Sequence, residues 1–165
     1  MAYGVPYIGI DVNKNMAGAY KALVAALDPA APVVMRFLAA ETVDFRQFQY
    51  DLVFTSPPYF MLEEYEQMPK YGSKQGFLDK FFRPVVQAAW ANLKSPGHLA
   101  LNMPKEMYDS VKDLLPPLWK RLQLPVKNRH GTDAILGRKI GAITERPRTE
   151  GIYVWRKGPI LSKLY

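Results

Sequence analysis

The stretch Asp51-Leu-Val-Phe-Thr-Ser-Pro-Pro-Tyr-Phe60 is the most informative part of this chain. An apolar run ends at two consecutive prolines, and an aromatic residue follows them directly. Proline fixes its own φ angle, has no N–H, and forces the residue before it into an extended conformation. Ser56 and Pro57 are therefore expected to be extended, with carbonyl oxygens that no neighbouring donor engages. The stretch predicts a strand that ends in a rigid turn with available hydrogen-bond acceptors.

These residues suit the recognition of a flat heterocyclic base. The Ser56 hydroxyl and the Pro57 carbonyl can accept hydrogen bonds from an exocyclic amino group. The ring of Tyr59 can stack on the face of the base. The alternative interpretation is an ordinary strand that ends in a Pro-Pro turn.

The segment Thr55-Ser-Pro-Pro-Tyr-Phe60 resembles the catalytic motif of the DNA amino-methyltransferases. These enzymes transfer a methyl group from S-adenosyl-L-methionine to an exocyclic amine of cytosine or adenine. Their motif is Asp, Asn or Ser, then Pro-Pro, then an aromatic residue, and the serine form is commonest in the cytosine-N4 branch. The resemblance implies that Ser56, Pro57 and Tyr59 are catalytic and that Tyr59 and Phe60 bind the base. It favours cytosine-N4 over adenine-N6 as the target.

Composition restricts the class of protein. The chain has 165 residues, 48% of them hydrophobic, and a net charge of +7, which suits a polyanionic partner. It has no cysteine and only two histidines, so disulfides and zinc-thiolate sites are excluded and we expect no metal site. No apolar run approaches the length of a membrane helix, about 20 residues, and no signal pattern is present at the start. We expect a soluble cytoplasmic protein, or a viral protein inside a cell, with no membrane partner.

Apolar patterns that change period along the chain predict alternating strands and helices. Such alternation is typical of an α/β fold with a mostly parallel sheet. We predict strands at 7–12, 33–38, 51–55, 98–102 and 151–155, a further strand near 124–128, helices at 14–27, 77–93 and 108–122, and a loop at 61–75.

Four other segments resemble parts of the same family. Tyr7-Ile-Gly-Ile-Asp11 resembles the family's second strand, which implies that Asp11 holds the cofactor ribose. The alternative is that Asp11 is an acidic residue near the start of a helix, where the helix dipole favours a negative charge. Ala40-Glu-Thr-Val-Asp-Phe45 resembles the family's next segment. The resemblance implies that Glu41, or otherwise Asp44, accepts a hydrogen bond from the adenine amine of the cofactor. The alternative is that these are solvated acidic residues of a loop. Residues 92–97 resemble the turn into the fifth strand, and residues 150–157 resemble the antiparallel strand that closes the sheet.

The resemblance implies a Rossmann-like class I methyltransferase sheet in the strand order 3-2-1-4-5-7-6. Its first strand and Gly-rich turn should lie about 15–25 residues before the Asp11 strand. Only ten residues precede Asp11, and no Phe-x-Gly-x-Gly sequence follows. We therefore expect residues 1–165 to form a single methyltransferase-like domain without its first strand. Three explanations are open. The chain is a fragment or part of a split catalytic domain, or it obtains the strand from a second chain or a homo-oligomer. Otherwise it is a degenerate relative of the family that keeps the base pocket and has lost the cofactor.

A basic stretch near the C-terminus is expected to contact nucleic-acid phosphates, with Arg138 and Lys139 as the leading candidates; a solvated surface loop is the alternative. We expect DNA as the partner, with the target base flipped out of the duplex. Four alternatives remain open: a non-catalytic nucleic-acid-binding or assembly subunit, an RNA base methyltransferase, a protein glutamine methyltransferase, and an unrelated α/β protein. The basic residues are Lys127, Arg129, His130, Arg138, Lys139, Arg146 and Arg148.

Overall fold

A computed structural model describes residues 4–27, 30–59, 69–123 and 150–159. The chain divides into two compact units. The first comprises Met1–Gln49 and Pro58–Asn92, and the second comprises Tyr50–Pro57 and Leu93–Tyr165. In the part of the chain that is described, no helix is both long and apolar enough to cross a membrane.

The first unit begins with two parallel strands joined by a helix. Strand β1 (Tyr7–Asp11) pairs with β2 (Val33–Phe37), and α1 (Ala17–Leu27) connects them after a 3-10 turn. The side chain of Asn13 caps that turn by accepting a hydrogen bond from the backbone N–H of Asn15, as Asn is well suited to do. Both predicted strands and the predicted helix are therefore present, with boundaries that differ by at most three residues.

The rest of the described first unit is mainly a composite helix. It consists of α2 (Lys74–Phe77), a π-helical turn (Leu78–Phe82) and α3 (Arg83–Asn92). Ser73 caps its start by accepting from the Gly76 N–H, so the helix begins three residues before the predicted position. The buried side chains of this unit lie mostly here: Phe77, Phe82, Val86 and Ala89.

The second unit is built on a four-stranded sheet in the order β3-β4-β6-β5. Strand β3 pairs in parallel with β4, whereas β6 runs antiparallel to both β4 and β5. Three strands therefore share one direction and β6 opposes them. The strands are β3 (Leu52–Thr55), β4 (Gly97–Pro104), β5 (Lys120–Leu122) and β6 (Glu150–Lys157).

One face of this sheet forms a well-packed core. Leu99, Leu101 and Met103 alternate along β4 on one face and are almost completely buried. In the β4–β6 register, Leu99 is paired with Trp155 and Leu101 with Tyr153, so these four side chains share that face. The short helix α4 (Lys105–Asp109) packs against both strands, and its Tyr108 ring stacks on Tyr153 at 4.5 Å between centroids.

The α/β class is confirmed, as is the antiparallel C-terminal strand, but one helix prediction is wrong. Residues 108–122 were expected to be helical, whereas α4 ends at Asp109 and β5 occupies Lys120–Leu122. Pro116 and Pro117 cannot donate helical hydrogen bonds, and the chain beyond them pairs with β6 instead. The strand predicted near 124–128 and most of the predicted loop at 61–75 lie outside the described residues.

Candidate functional site

Ser56 follows the carboxyl end of β3, and its side chain is exposed. Its nearest partner is Asn102 of β4, which is adjacent to Ser56 across the parallel ladder. The Ser56 hydroxyl lies 3.4 Å from the Asn102 carbonyl oxygen and 3.4 Å from the Asn102 side-chain nitrogen. Both distances are long for hydrogen bonds to a hydroxyl, so these contacts are weak. The Ser56 oxygen therefore keeps the capacity to accept a stronger donor.

The rest of the motif is less exposed than Ser56. Pro57 is buried and belongs with Ser56 to the second unit, whereas Pro58 and Tyr59 belong to the first unit and are half-buried. A buried proline next to an exposed serine fixes the direction of the backbone at that point. Strand β3 therefore ends at Thr55, directly before the motif, and residues 56–59 have no regular secondary structure.

Asp11 ends β1 at the carboxyl edge of the two-stranded sheet. One carboxylate oxygen accepts from the Asn13 N–H at 2.8 Å, and the other accepts from the Tyr20 hydroxyl at 3.0 Å. The hydrogen bond to Asp11 raises the pKa of Tyr20, so the phenol remains a donor at neutral pH. Each carboxylate oxygen has a second lone pair, which leaves Asp11 able to accept from a ligand. The bond to Asn13 also shows that Asp11 stabilises the turn before α1.

Glu41 lies in a 3-10 turn after β2 and contacts Tyr71. The Tyr71 hydroxyl donates to Glu41 Oε1 at 2.6 Å, and burial together with this bond raises the pKa of Tyr71. Glu41 Oε2 is buried and has no hydrogen-bond partner among the described residues. An acceptor of this kind costs about 1–3 kcal/mol when it stays unsatisfied, so the site favours an added donor.

Asp44, the alternative to Glu41, is already engaged locally. Its carboxylate accepts from the Arg46 guanidinium at 2.7 and 3.0 Å and from the Arg46 backbone N–H at 3.1 Å. The side-chain hydrogen bond from Arg46 lowers the pKa of Asp44. Glu41 therefore remains the better candidate of the two for a cofactor amine.

Three of the sequence-derived site residues lie outside the described part of the chain. These are the base-binding candidate Phe60 and the phosphate-binding candidates Arg138 and Lys139. The other members of the basic stretch, from Lys127 to Arg148, lie outside it as well.

Sequence reasoning missed Asn102 and Tyr71. Asn102 interrupts the apolar run that begins at Leu99 in β4, and that break in the pattern was a usable signal. Tyr71 gave no such signal, because its contact with Glu41 spans 30 residues of sequence. Tyr71 holds Glu41 through a short hydrogen bond, whereas Asn102 makes only weak contacts with Ser56.

No family model, curated protein or solved structure matches this chain. Among the residues at 4–27, 30–59, 69–123 and 150–159, no group of three or more histidines, aspartates or glutamates is placed to hold a metal ion.

Proposed function

We propose that this chain forms part of a DNA methyltransferase that transfers a methyl group from S-adenosylmethionine to an exocyclic base amine, with cytosine-N4 favoured over adenine-N6. One observation carries the proposal. Ser56-Pro57-Pro58-Tyr59 stands at the carboxyl end of a strand in a parallel pair, with the Ser56 hydroxyl exposed. Ligands of open α/β sheets bind at the carboxyl ends of the parallel strands.

The strand order supports a Rossmann-like methyltransferase sheet. The two sheets have the orders β2-β1 and β3-β4-β6-β5. If β1 and β2 correspond to the family's second and third strands, and β3 to β6 to its fourth to seventh, these orders become 3-2 and 4-5-7-6. They are the two parts of 3-2-1-4-5-7-6 that remain when strand 1 is removed. A chance α/β arrangement has no reason to divide at that point.

The proposed chemistry depends on how Ser56 and Pro57 hold the amine. An exocyclic amine is a poor nucleophile because its lone pair is delocalised into the ring. Hydrogen bonds from its two N–H groups to the Ser56 hydroxyl and the Pro57 carbonyl draw the nitrogen towards tetrahedral geometry. The lone pair is then available for reaction, so catalysis comes from positioning and electrostatic stabilisation. Tyr59 stacks on the flipped base and keeps its ring plane fixed.

S-adenosylmethionine supplies an electrophilic methyl group when it is bound. The residues that fit its adenosine part are Asp11 and Glu41. The carboxylate of Asp11 can accept from a ribose diol, and the unsatisfied Glu41 Oε2 can accept from the adenine amine. Tyr71 holds the Glu41 carboxylate through its other oxygen.

The test uses duplexes that contain cytosine or adenine as the single candidate base, with S-adenosylmethionine added. Methylated nucleosides are identified by mass spectrometry after digestion. We expect N4-methylcytosine, and a loss of about 100-fold or more in Ser56→Ala because an acceptor for the reacting amine is removed. Ser110→Ala is the matched control, since the Ser110 hydroxyl bonds a backbone carbonyl in α4 at 2.7 Å.

A second candidate function is a non-catalytic nucleic-acid-binding subunit, because the 165 residues contain no Phe-x-Gly-x-Gly sequence. A duplex with 2-aminopurine at the target position separates the two. Increased fluorescence of the duplex without methyl transfer supports the non-catalytic subunit. A single-stranded RNA is assayed in parallel, and methyl transfer to this RNA alone supports an RNA methyltransferase. A result with no methyl transfer and no increase in fluorescence would overturn the proposal.

A further inference from the structure

The second unit carries a group of polar side chains at the end of its sheet where β4 begins. His98 is directly opposite Arg156 in the β4–β6 register, so both side chains lie on the face opposite the packed core. Lys120 of β5 is opposite Val154, and Val154 shares a face with Arg156 because the two are two residues apart. An imidazole, a guanidinium and an ammonium group are therefore directed to the same side of the sheet.

Trp119 directly precedes β5 and contacts two of these residues. Its backbone N–H donates to the Val154 carbonyl at 3.1 Å, which fixes the chain at the start of the strand. Its indole ring lies 5.3 Å from the His98 ring between centroids, and the Arg156 guanidinium carbon lies 6.0 Å from the indole centroid. Trp119 is nevertheless 49% exposed. Its neighbours therefore hold the indole in place while much of the ring faces water.

The guanidinium of Arg156 is held in position and keeps donor capacity. Its Nη2 donates to the Pro159 carbonyl at 2.8 Å, across a turn in which Gly158 has a φ of 101°, a conformation that glycine adopts readily. Its Nε has no acceptor among the described residues. A guanidinium has five N–H donors in one plane, and phosphate oxygens match that geometry. An anionic acceptor would therefore satisfy a group that is already oriented.

Further positive charge lies at this end of the sheet. Lys120 follows Trp119 directly, Lys94 precedes β4 by three residues, and both lysines are exposed. Asp51 contributes a negative charge, but it precedes β3, and two strands separate β3 from β5. Proteins bind single-stranded nucleic acids by combining an aromatic ring, on which a base stacks, with cationic groups that contact the phosphates. The side chains around Trp119 supply both components.

We propose that Trp119, His98 and Arg156 form a binding site for one nucleotide unit of a single-stranded nucleic acid. The base stacks on the indole of Trp119, and the phosphate accepts hydrogen bonds from the guanidinium of Arg156. This site is separate from the Ser56 motif. Along β4, His98 is four residues from Asn102, the neighbour of Ser56, which corresponds to about 13 Å. The inference therefore stands on its own observations and does not depend on the proposed methyl transfer.

The test measures binding of a fluorescein-labelled thymidine octanucleotide to the 165-residue chain by fluorescence anisotropy. Thymine has no exocyclic amine, so this probe does not report on the amine site at Ser56. We expect saturable binding, and we expect the unlabelled octanucleotide to quench tryptophan fluorescence because a base stacks on the indole. Trp119→Leu should weaken binding by about tenfold and remove most of the quenching. Tyr7→Leu, at a residue that is 44% exposed in the other unit, is the matched control and should bind like the wild type.

A second pair of variants tests the phosphate contact. Arg156→Gln should weaken binding by about threefold to tenfold, and it should reduce by about one the slope of the logarithm of affinity against the logarithm of salt concentration. Arg36→Gln removes the same charge from an exposed position on β2 and is the matched control. Its affinity and salt slope should stay close to the wild-type values.

Other outcomes would overturn the proposal. Absence of saturable binding or of quenching in the wild-type chain would exclude base stacking without the need for a variant. Equal binding by a Trp119→Leu variant with a wild-type circular dichroism spectrum would mean that His98 and Arg156 only pack against the indole. Equal losses in Arg156→Gln and Arg36→Gln would mean that the chain attracts the probe through its net charge alone.

Two further results separate this site from its alternatives. Thymidine monophosphate that binds as tightly as the octanucleotide, with the same dependence on Trp119, would overturn the nucleic-acid strand and assign the site to a free nucleotide. Octanucleotide binding that depends on Trp119, in a chain that transfers no methyl group, would overturn the proposed function and support this site. Methyl transfer by a chain whose octanucleotide binding does not depend on Trp119 would do the reverse.

Discussion

Both sheets contain apolar strands, but only β4 and β6 of the four-stranded sheet are largely buried. In β4, Leu99, Leu101 and Met103 are at most 2% exposed. In the two-stranded sheet, Gly9 is the one buried strand residue in the described range, and α1 has no buried residue. An apolar strand is therefore stabilised only when a further layer and further strands remove it from water.

The same comparison shows which part of the first unit stabilises it. Its buried side chains belong mostly to the composite helix, where Phe77 lies 5.1 Å from Phe81 and 6.2 Å from Phe82 between ring centroids. Tyr71 meets Phe77 edge-on at 5.6 Å. An aromatic cluster of this kind supplies stabilisation that the two-stranded sheet does not, because isolated strand pairs are marginal in water.

The largest expected effect is in the buried core of the four-stranded sheet. Leu101→Ala should lower the free energy of unfolding by about 2–5 kcal/mol, because it removes buried methyl groups and leaves a cavity. Leu27→Ala is the matched change in α1, where Leu27 is 52% exposed, and should alter stability by about 0.5 kcal/mol or less. Urea unfolding followed by tryptophan fluorescence and circular dichroism measures both. Equal losses would mean that α1 is packed as tightly as β4.

A smaller effect is expected from adding one methyl group to a glycine in each sheet. A Cβ at Gly97 would overlap the Lys94 carbonyl oxygen and lie 2.9 Å from the Asp51 carbonyl oxygen, both of which are backbone atoms. Gly97→Ala should therefore cost about 1–3 kcal/mol. A Cβ at Gly9 would meet the flexible end of Met35, which can move aside, so Gly9→Ala should cost less than about 1 kcal/mol.

Thermal unfolding of the two glycine variants measures this difference. If Gly9→Ala were the more damaging change, the two-stranded sheet would be the more rigid of the two. The comparison between the sheets would then be reversed.

The smallest effect is expected from removing single hydroxyl groups in the first unit. Tyr71→Phe keeps the ring but deletes the donor to the partly buried Glu41, and should cost about 1–2 kcal/mol. Tyr20→Phe deletes the donor to Asp11, which keeps its bond from the Asn13 N–H, and should cost about 0.5–1 kcal/mol. Chemical unfolding of both variants tests whether the aromatic cluster or the β1–β2 region is the more tightly held. A larger loss in Tyr20→Phe would contradict the comparison.

Most elements were predictable because their signals are local. The apolar run before Ser56, the helical spacing before Asp28-Pro29 and the proline-glycine turn before His98 each identify an element without tertiary information. The strand β5 was not predictable, because Lys120, Arg121 and Leu122 form a strand only through their ladder with β6. A three-residue polar segment has no intrinsic preference strong enough to fix its conformation.

The candidate site divides in the same way. Ser56, Pro57 and Tyr59 were indicated by the resemblance of their motif to the amino-methyltransferases, and Asp11 and Glu41 by the resemblance of two further segments. Their partners Tyr20, Tyr71 and Asn102 became visible only in the folded chain. Hydrogen bonds between residues distant in sequence leave no periodic signal.

The sequence by itself determined the α/β class, the strand that stops before Ser56-Pro57-Pro58, and the acidic residues at the end of β1 and after β2. These features depend on backbone restrictions and apolar periodicity, which act over a few neighbouring residues. Only the tertiary structure decided which apolar strands are buried, which edges carry exposed Leu52 and Phe54, and which carboxylate oxygen lacks a donor. Burial and hydrogen-bond satisfaction depend on which distant segments meet, and local sequence does not encode that pairing.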